Sequence, residues 1–215
     1  MGYKKHSLNA TVHGNSTMTS GLKKHGQALI LTTALLCSAG LAVGQTSQAT
    51  GTGVAQGTRE AADAVDTIEN YQVNSPTMIS AGQPAPAHFA AFKAMGVDQV
   101  IDLIPGDRRA EQQLVQDLGM GYHNIQVVWD NPTLANFQDY VAVMQQTQGQ
   151  GERVLTHCRK NWRGAVFTYL YRVTQLDEAD AVARQDLATT WQPNDTWQAF
   201  IEQVKKAYAS SPQAD

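Results

Sequence analysis

Val154-Leu155-Thr156-His157-Cys158-Arg159-Lys160-Asn161-Trp162-Arg163-Gly164-Ala165-Val166-Phe167 reads as a short buried strand, a tight basic loop opened by a cysteine, and the start of a helix. Such a loop directs backbone N–H groups at one centre, and the helix N-terminus and flanking cations add positive potential there, so an oxyanion fits it. Nearby Lys and Arg and a helix N-terminus also stabilise a thiolate, the nucleophilic form of cysteine, which makes Cys158 the leading catalytic candidate. The alternative is a small buried core residue, and the neighbours Arg159 and Lys160 argue against it. Arg163 can fold its planar fork back over the anion, a bidentate recognition that suits Arg better than Lys. Its competing role is an ion pair with an acid on a neighbouring element. His157 either orients the nucleophile by hydrogen bonding or is a satisfied polar group at a strand end.

Outward from this stretch, strand and helix signals alternate. Met78-Ile79-Ser80 suggests a short strand closed by Ala81-Gly82-Gln83-Pro84, and Phe89, Phe92 and Met95 recur at helical spacing up to Gly96. Val97 to Ile104 reads as an apolar strand, Arg108 to Leu118 as a helix stopped by Gly119, and Tyr122 to Val128 as a third strand. After the Trp129-Asp130-Asn131-Pro132 loop, Thr133 to Gln148 carries Leu134, Phe137, Val141 and Met144 on one helical face. Arg153 to Thr156 then feeds the basic loop, Gly164 to Val173 leaves it as a helix, and Asp177 to Thr190 and Asn194 to Tyr208 are two further helices. This alternation predicts an α/β fold, a mainly parallel sheet flanked by helices, with the ligand at the carboxyl ends of the strands.

The chain has 215 residues, of which 42% are hydrophobic, enough for one domain with a real core plus extensions. Its net charge of −3 is unevenly spread: four of the sixteen Lys and Arg precede residue 25, whereas all nineteen acids follow residue 59. From residue 45 onward, twelve cations against nineteen acids leave the body at −7, which is poorly suited to nucleic acid and excludes it as a partner. Lys23-Lys24-His25, an apolar run from Ala28 to Val43 and the small residues Ala42 and Gly44 have the form of a signal peptide over 1–44, with Met18 as an alternative start. Export, to the periplasm, follows, with no stable membrane span after processing. Gln45 to about Arg59 is Gly, Thr, Gln, Ser and Ala, so 45–70 is expected to be a flexible tether ending in a short helical piece with Ala61, Ala62, Val65 and Ile68 on one side. The ordered domain is expected over 71–208 and a disordered tail over 209–215. With Cys37 removed, Cys158 is the lone thiol, so no internal disulfide and no zinc site is expected, His88 and His123 having no partner at ligand spacing.

His157-Cys158, Asn161, Arg163 and the following Phe167-Thr168-Tyr169-Leu170-Tyr171-Arg172-Val173 resemble the bacterial beta-lactamase-hydrolase-like phosphatase family, relatives of the dual-specificity cysteine phosphatases. Ile79-Ser80-Ala81-Gly82-Gln83-Pro84 resembles the opening of that domain, and the likeness spans about Tyr71 to Tyr208. The resemblance implies a cysteine phosphatase-like fold, a phosphocysteine intermediate, a phosphorylated protein or small phosphate ester as substrate, and no cofactor or metal. Carried over, Cys158 is the nucleophile, Arg163 the phosphate-binding and transition-state-stabilising group, and Asp130 the acid on a separate loop. Asp130 could equally be a turn or helix-capping residue before Pro132, and Asp107 is a reserve acid more simply read as a helix cap. Arg159, Lys160, Asn161, Trp162 and Gly164 complete the substrate-binding set, with Trp162 as a pocket wall and Arg159 and Lys160 setting charge preference. Trp191 and Trp197 read as packing residues.

Two departures matter. The usual phosphatase loop has five residues between Cys and Arg and a hydroxyl residue after the Arg; here there are four, followed by Gly164. The shorter spacing resembles the rhodanese loop, so a sulfurtransferase carrying a Cys158 persulfide stays open beside the phosphatase. A non-catalytic anion-binding module is the third reading.

Overall fold

The computed structural model describes residues 50–209. The segment over 1–44 expected to be a signal peptide, and the expected tail from residue 210, lie outside the described residues. A five-stranded sheet runs β1 (Gln72–Ser75), β2 (Met78–Ala81), β5 (Arg153–His157), β3 (Val97–Asp102) and β4 (Gly121–Asn124), with β1 antiparallel at one edge and all other pairs parallel. The inner strands are short apolar runs because helices cover both faces. β5 is central, and its alternation divides the core: Leu155 joins Phe89, Phe92, Val100 and Val115 on one face, while Val154 joins Phe137, Tyr140, Phe167 and Trp197 on the other.

The first face is covered by α1 (Thr50–Val65), α2 (Pro86–Ala94) and α3 (Arg109–Asp117), the second by α4 (Leu134–Gln148), α5 (Trp162–Gln175), α6 (Asp180–Thr190) and α7 (Asp195–Ala209). Thr133 caps α4 by accepting the Asn136 N–H at 3.2 Å, and Asn136 accepts the Thr133 N–H in return. Every residue from Arg163 to Arg172 in α5 is buried, so this helix has no solvent face and is set between the sheet and the other helices. Among the described residues no helix is long and apolar enough to cross a membrane.

Three differences from the sequence reading have physical causes. The helix α1 starts at Thr50, inside the stretch expected as a tether, a start that went unread because Gly, Thr, Gln and Ala carry no apolar pattern there. Its C-terminal end is the helical piece the sequence suggested, with Val65, and Ile68 just beyond it, buried in one cluster with Ile79 and Phe92. β1 went unread because Gln-Val-Asn-Ser is polar and short, an edge strand with Val73 exposed. The expected third strand stops at Asn124 rather than Val128, because the Asn124 side-chain amide donates to the carbonyls of Asp102 (3.0 Å) and Ile104 (2.9 Å), ending the ladder with side-chain bonds.

Candidate active site

Cys158 follows β5 directly, and both neighbouring strands hold the loop it opens. Its N–H donates to the Ala81 carbonyl at 3.3 Å, the His157 carbonyl accepts from Leu103 at 3.0 Å, and the Arg159 carbonyl accepts from Gln83 at 3.1 Å. Gly82 permits this approach, since a Cβ there would lie 2.7 Å from the Glu69 carbonyl oxygen. Asn161 takes the left-handed conformation (φ 59°) that Asn tolerates, and its side chain turns inward. The amide donates to the Asn70 carbonyl at 2.7 Å and to Ser80 Oγ at 3.0 Å, and the Asn70 amide returns a bond to the Lys160 carbonyl at 2.8 Å. Asn161 therefore ties the loop to the β2 strand instead of lining the pocket. Gly164 is required beside it, since a Cβ would come within 2.4 Å of Asn161 Oδ1.

A cleft of about 300 Å³ opens over the loop, lined by Trp129, Cys158, Arg159, Lys160, Trp162 and Arg163. Cys158 lies at its floor, only 1% exposed. Arg163 is in the first turn of α5 and is 8% exposed; its Nε donates to the Val127 carbonyl at 2.9 Å and its guanidinium carbon lies 5.3 Å from the Trp129 ring centroid. Among the described residues Arg163 makes no ion pair and its two terminal nitrogens have no acceptor, which leaves the fork for an anion. The Asn161 side chain does not cap α5, and the first helical bond runs from Ala165 N–H to the Asn161 carbonyl at 2.8 Å. The N–H groups of Trp162, Arg163 and Gly164 thus lack intrahelical acceptors at the positive end of the helix. Lys160 lies 3.5 Å from Glu69 and 5.5 Å from the Trp162 ring, and Arg159 is exposed at the rim.

Asp130 is exposed in a turn closed by the Asn131 N–H on the Val128 carbonyl at 3.2 Å. It stands next in the chain to Trp129, which lines the cleft, but is not itself a lining residue. Asp107 accepts the Arg109 N–H at 3.1 Å and is paired with the Arg109 guanidinium, a local turn one residue before the N-cap position, Arg108, so it is not itself the cap of α3.

His157 points to the other face of the sheet, away from the cleft. It is fully buried, register partner of Asp102 on β3, and edge-on to Phe89. Its Nε2 lies 3.1 Å from Glu111 Oε1 on α3. Arg108 bridges the two acids, at 2.5 Å from both Asp102 and Glu111, and the Tyr122 hydroxyl donates to Asp102 at 2.7 Å. The ligand-type atoms of Asp102, Glu111 and His157 lie within 4.8 Å of one another, and the Arg108 guanidinium supplies the cation among them. The sequence reading missed this cluster; the one available signal was an acid, Asp102, directly after the apolar pair Val100-Ile101 at the end of β3.

Burial opposes ionisation of Glu111, but His157 and Arg108 outweigh it and hold the carboxyl at about 2, against an ordinary 4.5. A depressed carboxylate pKa contributes stability that is present above 4.5 and is lost as pH falls toward 2. Thermal unfolding followed from pH 5 to about pH 2 is expected to show a steep loss, and Glu111→Gln to flatten it while lowering stability at neutral pH. An unchanged acid slope in that variant would remove Glu111 from the account.

No protein-family model matches the chain, and no curated protein matches it in sequence. Among solved structures, a DUF442 phosphatase-family protein from Shewanella putrefaciens CN-32 superposes with a TM-score of 0.60 at 31% identity, covering 68% of this chain and 97% of that one. P. aeruginosa TpbA (TM-score 0.54, 18% identity, 67% and 93% covered) and PTPMT1 (0.57, 16%, 65% and 96%) share the fold. The Shewanella protein is matched at 31% identity over nearly its whole length, and on that match this chain belongs to the DUF442 phosphatase family, hydrolases of the tyrosine and dual-specificity cysteine phosphatase fold.

Proposed function

We propose that the protein hydrolyses phosphate monoesters through a phosphocysteine formed on Cys158. The observation that carries the reading is that a cysteine and an arginine with an unpaired fork meet in one cleft, at a strand end and a helix N-terminus. Arg163 and the first-turn N–H groups of α5 hold the phosphoryl oxygens. The Cys158 thiolate attacks phosphorus, a P–S bond forms as the P–O bond breaks, and Asp130 gives its proton to the departing oxygen. Water then attacks phosphorus, Asp130 takes a proton from it, and inorganic phosphate and the thiolate are released. Trp129 and Trp162 wall the cleft and suit a flat aryl ester, and Arg159 and Lys160 at the rim favour an anionic substrate. TpbA was solved with phosphotyrosine and PTPMT1 with PI(5)P, both phosphate monoesters. The narrower likeness to the beta-lactamase-hydrolase-like phosphatases rests on the loop residues and on 167–173, and export to the periplasm rests on the N-terminal segment alone.

Persulfide chemistry on Cys158 is the second reading, favoured by the four residues between Cys158 and Arg163 and by the absence of a hydroxyl at Gly164. It needs no acid on the Asp130 loop. The two are separated by one experiment on the full chain, hydrolysis of an aryl phosphate beside thiocyanate formation from thiosulfate and cyanide. Phosphate release with a phosphorylated Cys158 trapped by acid quench is the expected result. Thiocyanate release with an added sulfur atom on Cys158 would transfer the site to sulfur chemistry, and anion binding with neither product would make it a binding module.

A further inference from the structure

One corner of the fold holds both halves of the cleft. Trp191 caps the end of α6 and Trp197 lies in the first turn of α7. The Trp191 indole N–H donates at 3.0 Å to the carbonyl of Trp162, the first residue of α5 in the nucleophile loop. The Trp197 indole N–H donates at 3.1 Å to the carbonyl of Trp129, the residue before Asp130. The rings interlock as well. Trp129 lies 5.6, 5.4 and 5.2 Å from Trp162, Trp191 and Trp197, and Trp162 stacks on Trp191 at 5.3 Å and 12°. Arg163 adds its guanidinium over Trp129 and its Nε bond to Val127, a third tie between the two loops.

A buried indole N–H needs an acceptor wherever it is placed, so one such bond signifies packing and no more. Here the two acceptors fall on the two segments whose separation decides whether a leaving oxygen bound above Cys158 can reach Asp130. Misplacing a reacting group by about 1 Å costs on the order of 10²-fold. We propose that Trp197 and Trp191 are positioning residues, and that the α6–α7 corner sets the spacing between the Cys158 loop and the Asp130 loop. This rests on the reading of Asp130 as the proton donor. The corner therefore acts on two different steps: Trp197 on proton delivery to the leaving group, Trp191 on the placement of the anion site.

The test is kcat/KM for a series of aryl phosphates of increasing leaving-group pKa, measured on the full chain and on Trp197→Phe, Trp191→Phe and Asp130→Asn. Activated leaving groups need little proton assistance and basic ones need it fully. Trp197→Phe is expected to lose about tenfold on the most basic leaving group and less than about twofold on the most activated, part of the roughly 10²-fold, equally graded loss expected of Asp130→Asn. Trp191→Phe is expected to lose about threefold at every leaving group, with phosphate inhibition weakened by the same factor. A uniform loss or none in Trp197→Phe, with a graded loss in Asp130→Asn, would overturn the positioning role and leave the phosphatase reading standing. An ungraded Asp130→Asn would overturn the acid assignment and the inference with it. Trp197 is fully buried, so if Trp197→Phe does not fold, benzothienylalanine placed there keeps the ring without the N–H, and the same graded loss is required of it.

Discussion

Cys158→Ser is expected to reduce phosphate ester hydrolysis to background while leaving the fold and anion binding intact. Sulfur is both an effective nucleophile at neutral pH and a leaving group that can be displaced from phosphorus; a serine hydroxyl is neither unless a base activates it. Among the described residues no base is placed for that task, since in this first step Asp130 is the acid that protonates the leaving oxygen. His157, the adjacent residue, has its ring on the opposite face of the sheet, against Glu111 and Phe89, and so cannot take a hydroxyl proton in the cleft. Arg159, Lys160 and Arg163, the charged residues that do line the cleft, are acids, not bases. The loss is therefore expected to be at least about 10³-fold, in the range that removing a nucleophile produces in other covalent enzymes. The substitution is close to isosteric, and the Cys158 N–H bond to Ala81 involves only backbone, so thermal stability should change by less than about 1 kcal/mol. Phosphate or vanadate binding, measured by calorimetry, should persist. Hydrolysis within tenfold of the parent would place the nucleophile elsewhere; lost anion binding would show that the thiol, not the loop, holds the anion.

The inner strands were legible because each carries an apolar stretch (Met78-Ile79, Val100-Ile101 and Val154-Leu155) followed by a break and a helical period, and because the basic loop marks the carboxyl end of β5. The inner geometry of the loop was less so. Asn161 looked like a pocket residue from its position between Cys158 and Arg163, but the left-handed backbone at Asn161 turns its amide toward Asn70 and Ser80, contacts made across 91 and 81 residues of chain. No local pattern reports a bond of that separation. The same applies to the cluster behind the loop, where Asp102 and His157 become neighbours only through the pairing register of β3 with β5. Trp191 and Trp197 do pack, as their sequence context suggested. What spacing could not reveal is the second use of each indole, a bond to one loop of the cleft apiece. Side-chain to backbone bonds of this kind depend on where a helix ends to within a residue, the least predictable property of a sequence.

Arg163→Lys is the second large effect, and it should differ in kind from Cys158→Ser. Lysine keeps the charge, so a site that needed only positive potential would lose little. The structure gives Arg163 three simultaneous uses that an ammonium on a flexible stem cannot reproduce: Nε satisfies the buried Val127 carbonyl, the planar guanidinium lies over the Trp129 ring, and the terminal nitrogens present a fork to the cleft. Because Arg163 is the second residue of α5, its backbone is fixed by the helix, and the four-residue spacing from Cys158 leaves the side chain little freedom to compensate. Bidentate contacts that strengthen as the phosphoryl group flattens act mainly on the transition state, and an arginine in that role is worth about 10³ or more in rate. We expect kcat/KM to fall by about 10³-fold in Arg163→Lys, with phosphate affinity falling in parallel. The nucleophile variant should thus bind without turning over, whereas the arginine variant should do neither. If Arg163→Lys held phosphate as tightly as the parent, the fork would not be the anion ligand, and the first-turn N–H groups of α5 with Arg159 and Lys160 would have to carry that role.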